Sequence, residues 1–183
     1  TLRFLADSQI DFLVESGLTS GVFGTLIAAN LFGKDEEENS FGLTQRDISH
    51  IIPWMGEVIN PTTWGFAVPF HSRTCRPLLN LCTSDTAKQL LLSEDGFIPL
   101  LMEGLLLNPQ HPSRKEADDT TLSIIQRDFS ECIQQVSLFG PGCEALKANP
   151  DVVNALDTTV EKARSEEAKV CATAALKQLC PER

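Results

Sequence analysis

Apolar residues recur at i, i+3 and i+4 in short blocks along this chain, and most blocks begin or end at a proline, a glycine or a capping side chain. A helix that short buries little of its apolar stripe alone, so the blocks must stack on one another. Strand signals are nearly absent, because β-branched residues are scattered and Tyr is missing altogether. The pattern predicts an all-α chain.

Helix boundaries are legible from local chemistry. Asn149-Pro150-Asp151 combines an N-cap, a proline at the first helical position and an acid near the positive helix end. Ser84-Asp85 and Ser165-Glu166-Glu167 open helices in the same way, and Ser113 with Glu116 reads as a capping box. Gly96, the Gly140-Pro141-Gly142 break and Pro181 mark stops. Together these predict ten helices near residues 2–15, 20–32, 45–59, 71–83, 85–94, 97–107, 114–138, 142–148, 151–163 and 166–180. Leu101 and Leu156 fall on the apolar stripes and are expected in the core.

Internal similarity follows. Ile51-Ile52-Pro53-Trp54-Met55 aligns with Phe97-Ile98-Pro99-Leu100-Leu101 at a shift of 46 residues, and Glu57 then falls on Glu103. Helix endings with a polar centre recur at Asn30, Asn80, Ser137 and Gln178, at intervals of 50, 57 and 41 residues. Arrays of paired or tripled helices have periods of roughly 40–47 residues. The acidic run at 34–39, the segment 60–70 and the long helix at 114–138 supply the extra length as insertions.

On the Gly96-Phe97-Ile98-Pro99-Leu100-Leu101 turn and the Leu79-Asn80-Leu81 type of ending, the chain resembles the armadillo repeat family. The resemblance implies a right-handed α-solenoid of about four repeats, near 1–33, 34–83, 84–140 and 141–183, with third helices lining a concave groove. It implies a non-catalytic module, scaffold or adaptor that binds a protein or peptide segment along that groove. Asn30, Asn80, Ser137 and Gln178 would then contact the partner's main chain, with Arg73, Arg76, Arg127, Lys169 and Lys177 beside them. The positions four residues before those polar centres are Leu26, Arg76, Ile133 and Ala174, where nuclear-import members carry Trp, so the resemblance does not extend to import-signal binding. The stack ends would meet further repeats or a second copy.

The net charge of −10 argues against a nucleic-acid surface. The longest nearly uncharged apolar stretch, 21–33, is shorter than the roughly 20 residues of a membrane span. Six cysteines without a C-x-x-C pair fit reduced thiols and a cytoplasmic setting. The first residue is Thr, and no signal-peptide pattern follows it, so the chain is expected to be part of a longer one.

Arg73 and Arg76, at i and i+3, could hold a carboxylate or phosphate, which would make the chain a regulatory or autoinhibitory domain sensing a small anion; a solvated face explains the same pair. Trp64 and Phe66, in the aromatic segment 60–70, could anchor a second interface or fold back as local core. His71 and Cys75 share a helix face, but no residue near them in sequence orients the histidine, and adding Cys82 makes a poor zinc set because it lies two turns farther along. No phosphate-binding, dinucleotide or hydrolase motif occurs, so neither catalysis, nor a metal, nor a cofactor is expected.

Overall fold

In a computed structural model the described residues are 43–59, 71–107 and 119–182. They form eight helices and no strand: α1 (Gln45–Ile59), α2 (His71–Cys82), α3 (Asp85–Leu92), α4 (Phe97–Leu106), α5 (Asp119–Ser137), α6 (Gly140–Lys147), α7 (Pro150–Lys162) and α8 (Glu166–Leu179). All eight correspond to helices expected from the sequence. The expected helices at 2–15 and 20–32, the capping box at Ser113 and the segment holding Trp64 and Phe66 lie outside the described residues.

The predicted caps close as their chemistry requires. Ser84 Oγ accepts from the Ala87 N–H, Asn149 Oδ1 from the Asp151 N–H, and Ser165 Oγ from the Ala168 N–H. Two boundary motifs behave differently from expectation. Pro99 stands in the first turn of α4, but Pro53 lies in the interior of α1, so the two Ile-Pro steps are not equivalent positions. Gly140-Pro141-Gly142 opens α6 with Phe139 as N-cap, and the break falls at residues 138–139 instead.

The α5–α6 corner needs glycine at 142 for a steric reason. A Cβ there would overlap the Val136 carbonyl oxygen and lie 2.8 Å from Val136 Cγ1. Tight closure of this corner sets the path of the chain from α5 into the next pair of helices.

Helix packing sorts the elements into two rows. In one, α5 packs between α2 and α8; in the other, α4 packs between α1 and α7. The rows join through the pairs α1–α2, α4–α5 and α7–α8, while the short helices α3 and α6 contact each other and bridge successive pairs. One continuous apolar cluster fills the space between, with Leu78, Leu91, Phe97, Leu101, Leu105, Phe129 and Leu156 fully buried.

Two polar groups inside this core join elements. Lys88 of α3 is buried, and its ammonium meets Asp85 at 2.6 Å, the Gln135 carbonyl at 3.4 Å and the Phe139 ring at 5.2 Å. It thereby places a cation at the negative C-terminal end of α5. Gln126 of α5 is also buried; its amide donates to the Leu105 carbonyl at 2.7 Å and its oxygen accepts from the Arg164 N–H at 2.9 Å. That single side chain ties α5 to the end of α4 and to the turn before α8. Gln126→Leu is expected to cost about 1–3 kcal/mol, because it strands a carbonyl and an N–H while keeping an apolar filling. Chemical denaturation checks this, and an unchanged midpoint would show that both groups find other partners.

Candidate functional site

The row α2–α5–α8 exposes a polar line that can be followed from residue to residue. On α5 the residues left uncovered by its two neighbours include Arg127, Glu131 and Gln134, spaced at three and four residues along one face. Arg76 of α2, half exposed, reaches Glu131 with its Nη1 at 3.9 Å from Oε2. Asn80 is one turn beyond Arg76 on the same side of α2 and is partly exposed.

Arg127 is the centre of this line. Its Nε and Nη2 both donate to Asp128 Oδ1, at 3.0 and 2.8 Å, and the guanidinium is 39% exposed whereas the Asp128 side chain is 1% exposed. The Asp128 bond, then the charges of Asp128, Glu131 and Glu167, hold the Arg127 pKa above its ordinary value against the opposing cost of burial. Glu167 brings α8 into the same field. Its carboxyl is held below the usual range first by the Ser165 hydroxyl, which donates to it at 2.8 Å, and then by its own backbone N–H, with Arg127 adding to the effect.

Cys171, one turn beyond Glu167, faces the same charges. Burial pushes its thiol up, Glu131 adds to the shift, and Arg127 opposes it. Gln178 lies two turns farther along that side of α8 and is exposed. The assembled line is therefore Arg76 and Asn80, then Arg127, Glu131 and Gln134, then Glu167, Cys171 and Gln178.

The predicted residues divide against this geometry. Arg76, Asn80, Arg127 and Gln178 fall on the line. Ser137 does not: it is 3% exposed, and its hydroxyl donates to the Gln134 carbonyl at 2.7 Å. Six residues past Glu131, at about 100° per residue, it has turned well away from the open face, and Gln134 takes the place expected for it. Lys169 is two residues, or about 200°, from Cys171, and its ammonium is engaged by Glu166 at 2.6 Å. Lys177 is exposed but about 120° off the Cys171 side. Arg73 belongs to the first turn of α2, with its side chain outside the described set, as is that of His71; Asn30, Trp64 and Phe66 lie outside the described residues altogether.

Cys75, Cys82 and Cys132 are buried and form no disulfide, and Cys132 is pushed well up by burial and by its hydrogen-bonding contact with Cys82. Cys82 faces Cys132 across the α2–α5 contact. Among the described residues no group of three or more His, Cys, Asp and Glu side chains could hold a metal ion. No described helix is long and apolar enough to cross a membrane. Comparisons with protein-family models, curated proteins and solved structures return no match.

Asp128, Glu131, Glu167 and Cys171 were not singled out from the sequence. The Arg127–Glu131 spacing of four on one helix was a usable signal for the stripe. Nothing local distinguishes Asp128, a buried acid, from the exposed acids around it.

Proposed function

We propose that this chain is a non-catalytic interaction module, an armadillo-like, right-handed helical stack that binds an extended polypeptide segment across the α2–α5–α8 face. Three of its units correspond to the pairs α1–α2, α4–α5 and α7–α8; the fourth expected repeat, 1–33, lies outside the described residues. The observation that carries the reading is the uncovered polar line on α5 between two flanking helices, which Arg76 and Asn80 extend on one side and Glu167 and Gln178 on the other. Amides such as Asn80, Gln134 and Gln178 both donate and accept, and so match the alternating N–H and C=O groups of an extended main chain. A scaffold or adaptor role in the cytoplasm fits such a surface.

The alternative of a small-anion sensor at Arg73 and Arg76 has weaker support. Arg76 already faces the Glu131 carboxylate, and Glu131 shares with Asp128 and Glu167 the negative field that acts on Arg127.

Selection of a displayed peptide library on the purified protein tests the reading. It should enrich segments whose affinity falls about tenfold or more in an Asn80→Ala, Gln134→Ala double variant, and stays unchanged in Glu161→Ala on the exposed side of α7. Failure to enrich any segment, or binding lost only at α7, would overturn it.

A further inference from the structure

A fully buried carboxylate in the centre of α5 is costly unless it is paired, and such pairs are commonly no more stabilising than apolar side chains of the same size. Asp128 is in that position. Both of its hydrogen bonds run to a single oxygen, Oδ1, and both come from Arg127, which stands at the middle of the open face. The Nε and Nη2 edge of the guanidinium is thus occupied. Its Nη1 makes neither of these two bonds, and the side chain remains substantially exposed.

We propose that Asp128 is a positioning residue that locks Arg127 so that its free guanidinium end donates to main-chain carbonyl oxygens of the bound segment. This rests on the proposed reading of the α2–α5–α8 face and adds the residue that fixes the partner's backbone. Neutral carbonyls are favoured over a partner carboxylate by the surrounding charge. Three acids, Asp128, Glu131 and Glu167, act on Arg127, and Arg76 supplies the nearby compensating cation, so the locality is net negative. Fixing the fork before binding removes the side-chain ordering cost that a free arginine would incur on association.

The test uses the complete chain and a peptide enriched on it. Asp128→Asn keeps the volume and removes the charge; it should weaken binding about tenfold or more while the thermal midpoint stays level or rises. Arg127→Lys, which keeps the charge but not the fork, should lose binding to a similar degree. The Arg127→Gln, Asp128→Asn double variant guards against a misfolded single variant, since it leaves no unpaired buried charge, and it too should fold and bind weakly. In ¹⁵N spectra the Arg127 Nε–H should be sharp and protected in the free protein, and broadened in Asp128→Asn. Its Nη1 signal should shift when the peptide is added.

Wild-type affinity in Asp128→Asn, or a fall in stability with binding per folded molecule unchanged, would overturn the positioning role while leaving the interaction reading standing. Absence of any enriched peptide would overturn the reading and this inference with it.

Discussion

Phe129→Ala is expected to lower stability by about 3–5 kcal/mol, the range for deleting a buried aromatic ring. Phe129 is 0% exposed and sits where α5 crosses α4, with its ring lying directly on Gly104. A Cβ at position 104 would overlap three carbons of that ring, so the glycine exists to let the ring in and the two helices come close. For a chain of this size the loss corresponds to a drop of roughly 6–20 °C in Tm. The paired variant sharpens the result. Gly104→Ala alone should cost about 1–3 kcal/mol by overpacking, and appreciably less in the Phe129→Ala background, where the added methyl enters vacated space. Additive losses in that double-mutant cycle, measured by chemical denaturation, would contradict the contact.

Leu101→Ala and Leu156→Ala should each cost about 2–5 kcal/mol. Both side chains are 0% exposed, one on α4 and the other on α7, within the row where those helices meet. The spread reflects how far each site can collapse around the missing atoms. A loss below about 1 kcal/mol at both would mean that the apolar stripes of α4 and α7 face elsewhere. Hydrogen exchange separates the two variants further. Because α7 packs on α8, and α4 packs on both α1 and α7, Leu156→Ala should loosen α7 and α8 more than α1, whereas Leu101→Ala should loosen helices on both sides of α4.

The sequence was informative about helices because their determinants are local. Ser84, Asn149 and Ser165 cap from within three residues of the groups they satisfy, and the apolar period of α5 can be read within its own span. It was less informative about equivalence between segments. Pro53 and Pro99 share an Ile-Pro step, yet one is interior and the other is in a first turn, because proline tolerates the start of a helix without specifying it. Ser137 was misplaced for a related reason. Matching helix endings by a polar residue between apolar ones ignores rotation about the axis, and three residues separate the partly exposed Gln134 from the buried Ser137.

What the amino-acid order determined by itself was the all-α class, the approximate extent of the described helices and the core places of Leu101 and Leu156. These depend on backbone propensity, capping and hydrophobic period, all of which act within a few turns. Tertiary structure alone decided that α5 lies between α2 and α8, that Gln126 would tie together groups 21 and 38 residues away, and that Asp128 would be buried against Arg127 beside Glu131 and Glu167. Burial and electrostatic field are properties of neighbours in space. An aspartate followed by a phenylalanine reads the same on a solvated helix as on one enclosed from both sides, and only the packing of the flanking helices distinguishes them.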